Sequence, residues 1–174
     1  MNYSLRMSLL ACSIAILTAS GTVLAQTATP SPAAVVKAAD WQAVMKTSVE
    51  GDILDTKVNE TNVKGGIVRV GIVHRTRPET RALMHQEFSE SYYVIEGSGT
   101  LVTGGTMEEQ RPVSDPANLG PTPSFFAVQV GGETQHVGPG DIVVIPAGVP
   151  HRLSELDSPM SYIIYRFEVT ADAQ

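Results

Sequence analysis

The chain has 174 residues, a formal net charge of −6 at pH 7 and one cysteine, Cys12. This length suits a single domain with a leader. The acidic balance, without a basic patch to neutralise phosphates, argues against a nucleic-acid partner. A single cysteine also excludes an internal disulfide, so the hydrophobic core has to hold the fold.

Residues 1–25 have the pattern of a secretory signal peptide. Arg6 supplies the positive start, the apolar stretch Met7–Leu17 follows, and small residues precede a cleavage point ahead of Gln26. The apolar stretch is too short to favour a membrane anchor. We therefore predict an exported protein, periplasmic or secreted, with no stable membrane insertion after processing. Loss of Cys12 with the leader would leave only nitrogen and oxygen atoms as metal ligands.

Two segments separate this leader from the rest of the domain. Residues 26–34 consist mostly of Thr, Pro, Ser and Ala, which is typical of a disordered linker. Residues 35–64 are predicted as an N-terminal helix and its extension. Within them, Val35–Lys46 has a helical pattern in which Asp40 is a plausible N-cap for the following residues. We expect this helix to pack on the outside of the domain.

Residues 65–170 have the sequence pattern of an all-β domain. The predicted strands are Ile67–His74, Arg81–Glu87, Tyr92–Glu96, Thr100–Thr103, Phe126–Val130, Glu133–Val137, Asp141–Ile145, His151–Ser154 and Met160–Val169. Gly131-Gly132 is a good two-residue hairpin turn between two of them. Short strands at regular spacing, separated by Gly and Pro, favour a barrel or a sandwich.

Residues 106–124 interrupt this pattern. They contain four prolines and no strand period, and we predict a loop insertion. A loop of this length inside a compact domain is often a lid or a binding loop. A solvated surface loop without a role is an equally good interpretation.

The most informative stretch runs from Gly140 to His151. An apolar strand ends at Pro146, which cannot donate to a sheet, and Gly148 tolerates the positive φ of a sharp turn. His151 then opens the next strand. Gly140, Pro146, Gly148 and His151 have the spacing Gly-x5-Pro-x-Gly-x2-His, which resembles the second signature of the cupins; a full signature has Asn where this chain has Glu155.

The first cupin signature is present in partial form. His85, Glu90 and Gly97 have the spacing His-x4-Glu-x6-Gly, but Leu83 stands where a full signature has another histidine. The resemblance covers roughly residues 67–169. It implies a double-stranded β-helix, or jelly-roll, barrel, here with a short N-terminal helix, and it makes a homodimer plausible.

The resemblance also implies a metal site at His85, Glu90 and His151. Two imidazoles and one carboxylate from different strands form a facial triad, as in non-haem Fe(II) oxygenases. The expected cofactor is a divalent transition metal, Fe, Mn, Zn, Ni or Cu. The alternative is that the two histidines are hydrogen-bonded lining residues of a metal-free barrel.

Two residues are candidates to replace the donor that Leu83 removes. Glu87 is two positions after His85 and would share its strand face. His74 would lie opposite Leu83 if the chain turned tightly between them, although jelly-roll strands often cross between sheets at such a connection.

Further side chains are candidates for catalysis and binding. Tyr92 and Tyr93 alternate along one strand, so one of them should face inward beside Glu90. With Glu87, these tyrosines are the candidates to move a proton. The arginines of residues 69–81 would suit an anionic substrate in a barrel mouth, or they form a solvated face.

The sequence thus favours an exported, metal-dependent cupin enzyme that acts on a small organic molecule. Iron would indicate a dioxygenase, whereas zinc or manganese would fit a lyase or an isomerase. A ligand-binding or sensing barrel without chemistry is one alternative. A metal-free epimerase that uses His85 or His151 as a general base is the other.

Overall fold

The computed structural model describes residues 32–63, 66–113 and 123–169. Within these ranges the chain forms one helix and eleven strands. They are α1 (Ala38–Gly51), β1 (Asp55–Val63), β2 (Gly66–Arg75), β3 (Ala82–His85), β4 (Phe88–Glu96), β5 (Gly99–Thr103), β6 (Thr106–Pro112), β7 (Ser124–Val130), β8 (Glu133–Val137), β9 (Ile142–Ile145), β10 (His151–Leu156) and β11 (Met160–Val169).

The strands form two antiparallel sheets. One has the order β1-β2-β11-β4-β9 and the other the order β6-β7-β3-β10-β5-β8. Strands that are distant in the sequence are neighbours in both sheets, as the crossing connections of a jelly roll require. The predicted all-β, double-stranded β-helix with a short N-terminal helix is confirmed.

The core consists of side chains from the inner faces of both sheets. Apolar residues of β2, β4 and β11 pack with residues of β5, β8, β9 and β10 in one buried cluster. Successive side chains of a strand point to opposite faces. Tyr162, Ile164 and Arg166 of β11 therefore share the inner face, although only the first two belong to the apolar cluster. That placement brings Arg166 into the interior.

The predicted hairpin at Gly131-Gly132 is wrong, because β7 and β8 do not pair with each other. β8 pairs with β5, and β7 pairs with β6 and β3. The two pairs continue one register, since Thr103 lies opposite Glu133 and Thr106 lies opposite Val130. Gly131 and Gly132 have positive φ, and they bend a strand that continues beyond them, as glycine allows.

The pairing of β6 with β7 also shows that the predicted loop insertion over residues 106–124 is partly wrong. Thr106–Pro112 is strand β6, and Ser124 is the first residue of β7. The sequence of β6 lacks the alternation of apolar and polar residues that marks a strand. Its outer side chains are polar, and a bulge interrupts the pairing register after Glu108. Residues 114–122 lie outside the described residues.

The helix is longer than predicted and starts later. It begins at Ala38 after Lys37, and Asp40 lies in its first turn rather than at the N-cap. It continues past Lys46 to Gly51 because Ser48, a weak helix former, is buried and hydrogen-bonded to Thr56 of β1 at 2.9 Å. As expected, α1 packs on β1 and β2 at the outside of a sheet.

The other predicted segments are only partly covered by the described residues. The predicted signal peptide (residues 1–25), most of the linker and the ends of the barrel at residues 65 and 170 lie outside the described residues. The extension predicted within residues 35–64 contains strand β1. In the part of the chain that is described, no helix is long and apolar enough to span a membrane.

Replacing Ile145 by alanine tests the packing of this core. Ile145 of β9 belongs to the buried cluster and is 2% exposed, whereas Ile142 of the same strand is 70% exposed. We expect Ile145→Ala to lower the free energy of unfolding by about 2–5 kcal/mol, because it removes buried methyl groups and leaves a cavity. The matched Ile142→Ala change should cost about 1 kcal/mol or less. Equal losses in urea denaturation would contradict this assignment of the core.

Candidate metal centre

Three side chains from three strands meet inside the barrel. His85 ends β3 and His151 begins β10, both in the six-stranded sheet, while Glu90 lies in β4 of the other sheet. Gly148 has φ +78° in the turn before β10, and its N–H donates to the carbonyl of His85 at 2.7 Å. The predicted turn therefore connects the two histidine-bearing strands.

The ligand-type atoms of these residues face one another. Nε2 of His85 is 3.3 Å from Oε1 of Glu90, and Nε2 of His151 is 3.3 Å from Oε2. One donor atom of each residue lies within 4.8 Å of the others. The residues are 2%, 4% and 2% exposed for His85, His151 and Glu90. The structure thus brings the three predicted ligands together.

Nδ1 of each imidazole ring, the nitrogen that points away from Glu90, is hydrogen-bonded to the protein. Nδ1 of His151 donates to the carbonyl of Val149 at 3.0 Å, so that Nε2 is the ring nitrogen that faces Glu90. Nδ1 of His85 forms a 2.7 Å hydrogen bond with the hydroxyl of Ser124. The His85 ring also stacks on Phe88, with centroids 3.9 Å apart. Such outer contacts orient metal-binding histidines.

The carboxylate of Glu90 is held on both oxygens. Nε of Arg166 donates to Oε1 at 2.9 Å, and the hydroxyl of Tyr92 donates to Oε2 at 2.8 Å. Arg166 lies directly opposite Glu90 in the β4–β11 register. Its Nη2 also contacts the carboxylate of Asp55 in β1 at 2.6 Å. Asp55 therefore fixes Arg166, which in turn fixes Glu90.

Burial and mutual contact shift the pKa values of the three groups in different directions. Burial raises the pKa of Glu90, but the close imidazoles of His151 and His85 outweigh it, and the net pKa is well below the usual range. Burial dominates at His85 and lowers its pKa. At His151, contact with Glu90 outweighs burial and raises the pKa. The site therefore contains a fixed anion and one imidazole that readily gives up its proton.

The geometry fits a metal ion. Nε2 of His85 is buried and makes no hydrogen bond within the described residues, although Glu90 is near. Metal bonds of about 2.0–2.2 Å place neighbouring ligands about 3 Å apart, close to the 3.3 Å separations here. Two nitrogens and a carboxylate suit a divalent transition metal. That these residues bind one remains a prediction.

Neither candidate replacement for the donor at Leu83 joins the cluster. Leu83 lies opposite His151 in the β3–β10 register, so its side chain is on the same face. His74 is not opposite Leu83 as predicted, because β2 and β3 belong to different sheets. Nδ1 of His74 instead pairs with the hydroxyl of Ser161 at 2.8 Å.

The structure separates the three predicted proton-moving residues. Glu87 is exposed, because β3 ends at His85 and the chain bends before β4. The prediction that Glu87 shares the inner face is therefore wrong. Tyr93 is 44% exposed on the outer face, while Tyr92 is buried and contacts Glu90. Burial, the largest effect, raises the pKa of Tyr92 well above its usual value, so its hydroxyl stays protonated.

Sequence reasoning did not assign Arg166 or Asp55 to the metal cluster. The signal for Arg166 was available, because a charge on the inner face of an apolar strand needs a buried partner. Asp55 carried no such signal, since it lies in the extension outside the predicted barrel. Its position depends on the pairing of β1 with β2.

The cluster lies in the wall of a cavity of about 810 Å³. Glu90, His151, Tyr92 and Arg166 line it, and so does Leu83. The residues of the β2–β3 connection line it as well, from Arg75 to Arg81. A volume of this size accommodates a small organic molecule.

Comparison with known proteins gives a family match over part of the chain. Residues 126–164 match the family model described as "Cupin domain". This range contains all of β8 and β9, the turn that follows and His151. No curated protein matches the sequence.

Several solved structures have a similar fold. KdgF from a Halomonas species is 16% identical, with a TM-score of 0.43 over 69% of this chain and 82% of that chain. A double-stranded β-helix protein from Klebsiella pneumoniae is 15% identical, with a TM-score of 0.42 over 70% and 79%. A cupin superfamily protein from Desulfitobacterium hafniense is 9% identical, with a TM-score of 0.41 over 67% and 76%.

The hydroxyl of Tyr92 should contribute to metal affinity through Glu90. We expect Tyr92→Phe to weaken binding of Zn²⁺ or Mn²⁺ by about tenfold, because it removes an outer hydrogen bond from a ligand. Tyr93→Phe makes the same chemical change on the exposed neighbour and should leave the affinity unchanged. Competition with a chromophoric chelator measures both, and equal affinities in the two variants would refute this role of Tyr92.

Proposed function

We propose that this chain is a cupin, which the cupin-domain match over residues 126–164 supports, and that it is an exported, metal-dependent enzyme that acts on a small organic molecule. The observation that carries the proposal is the His85–Glu90–His151 cluster, with its donor atoms turned toward one another at the wall of a cavity. The reaction is that of a dioxygenase or of a lyase or isomerase.

The described residues supply at most three ligands at this cluster. His85, Glu90 and His151 would hold the ion from one side, and Leu83 adds no donor on the cavity side. When bound, a divalent transition metal supplies Lewis-acid polarisation of a substrate oxygen or, as iron(II), reactivity toward dioxygen. The cavity, which Glu90 and His151 line, would give substrate oxygens access to the cluster.

The chain's own residues then orient the substrate and control protons. Tyr92 stays protonated, and its hydroxyl donates a hydrogen bond to Glu90. It therefore positions the carboxylate rather than acting as a base. Leu101, Leu153 and Ile164 form an apolar part of the cavity wall. They would exclude water from the reacting end of the substrate, where electrostatic interactions are stronger than in bulk solvent.

Replacing the histidines tests the proposal directly. We expect His85→Ala and His151→Ala each to abolish both metal content and turnover, because each removes a ligand from a three-residue site. His136→Ala is the matched control, since His136 is exposed on β8 and lies outside the cluster. Elemental analysis of protein purified without chelators identifies the metal. Oxygen dependence of turnover then separates a dioxygenase from a lyase or isomerase.

Other outcomes of the same experiment have definite meanings. Full metal occupancy in both alanine variants would reject the assigned site. Metal and ligand binding without turnover would make the protein a sensing barrel, and activity that survives chelation would indicate a metal-free epimerase.

Export is supported by the leader pattern in residues 1–25. If the protein is exported through that leader, the mature chain begins at Gln26 and contains no cysteine. Intact mass spectrometry of protein recovered from the periplasm or the medium should give that N-terminus. Recovery of the full-length chain in the cytoplasmic fraction alone would contradict export.

A further inference from the structure

Two arginines border the cavity on either side of the β2–β3 connection. Arg75 is the last residue of β2, and Arg81 precedes the first residue of β3. Both side chains line the cavity. Arg75 follows the core residue Val73 by two positions, so it lies on the same inner face. We call this part of the cavity the rim.

Each of these guanidinium groups has a buried N–H nitrogen that lacks a hydrogen-bond acceptor among the described residues. Nη2 of Arg75 pairs with Glu79 at 3.1 Å, but its Nε is buried and has no hydrogen-bond partner within the described ranges. Nη2 of Arg81 is 3.5 Å from the exposed Glu109, and its Nη1 is buried and likewise lacks a partner there. Buried donors in native proteins are nearly always paired, which indicates an acceptor that enters the cavity.

The rim is held in position before any ligand arrives. The backbone N–H of Glu79 donates to the carbonyl of Leu153 at 2.7 Å, and the side chain of Glu79 accepts from the N–H of Leu153 at 2.7 Å. Glu79 thereby fixes Arg75 to β10. The hydroxyl of Tyr162 lies beside Arg75, and burial, the largest effect, raises the pKa of Tyr162 to about 12. It remains a neutral donor.

The charged residues that line the cavity form two groups, one around the cluster and one at the rim. At the cluster end, Asp55 and Glu90 outnumber Arg166. At the rim, the charges are those of three arginines, Arg75, Arg77 and Arg81, and of two acids, Asp52 and Glu79. The cluster end therefore favours a cation and the rim favours an anion. A single negative charge balances the rim.

We propose that Arg75 and Arg81 form a carboxylate-binding subsite and that the substrate is a small carboxylic acid. Its carboxylate lies at the rim, while its other oxygen atoms extend toward His85, Glu90 and His151. A planar carboxylate suits guanidinium donors. A dianionic phosphate would exceed the charge of the rim and approach Glu79. This substrate class rests on the proposed function, but the subsite can be tested without metal.

The test is calorimetric titration of the full protein, with and without metal, using the monoanion lactate, the uncharged lactamide and inorganic phosphate. We expect the wild type to bind lactate more tightly than either of the others. Arg81→Gln should weaken lactate binding by about tenfold or more, the effect of losing one charge-assisted hydrogen bond. Arg111→Gln removes the same charge from an exposed residue of β6 that does not line the cavity, and should change nothing. Arg75→Lys should also weaken binding while keeping the charge.

Each alternative result has one interpretation. Equal lactate affinity in the wild type and Arg81→Gln would overturn the subsite, as would equal binding of lactamide or tighter binding of phosphate. Absence of lactate binding up to about 10 mM would also overturn it. If the wild type takes up no metal but binds lactate through Arg81, the subsite stands and the metal-dependent function fails. If Arg81→Gln keeps its metal and loses lactate, both stand.

Discussion

The buried carboxylate of Glu90 is the interaction on which the rest of the site depends. An isolated carboxylate in an apolar interior is strongly destabilising or becomes protonated. Here one oxygen accepts a hydrogen bond from Arg166 and the other accepts one from Tyr92. Each oxygen also faces a histidine at 3.3 Å. These partners make the ionised form stable, and a fixed anion between two imidazoles makes the interior of this barrel attractive to a cation.

The two-sheet frame explains how these partners meet. Glu90 and Arg166 are opposite each other in neighbouring strands of one sheet, while both histidines come from the other sheet. The site therefore exists only when the sheets close on each other. Asp55 extends the dependence to β1, because its carboxylate holds Arg166 in place. A strand at the edge of the barrel thus supports a ligand near its centre.

Local turn chemistry was predictable from the sequence, and long-range register was not. The turn at Gly148 is specified by neighbouring residues, and with it the placement of His151 at the start of β10. The all-β barrel followed from strand spacing in the same way. The meeting of Asp55 with Arg166 depends on how β1, β2 and β11 pair, which no local pattern encodes. Gly131 shows the same limit, because a positive φ suits both a hairpin and a bend, and only the partner strands distinguish them.

Leu83 bears on the side from which a substrate would approach the cluster. It lies opposite His151 on the inner face and lines the cavity, where its apolar side chain contributes no ligand. An acid held by Arg75 and Arg81 would approach the ion from that side and supply oxygen ligands that Leu83 does not. Ion and acid would then each add to the binding free energy of the other, and linkage makes this coupling reciprocal. With both bound, leucine in place of a histidine ligand at position 83 would make metal affinity depend on substrate.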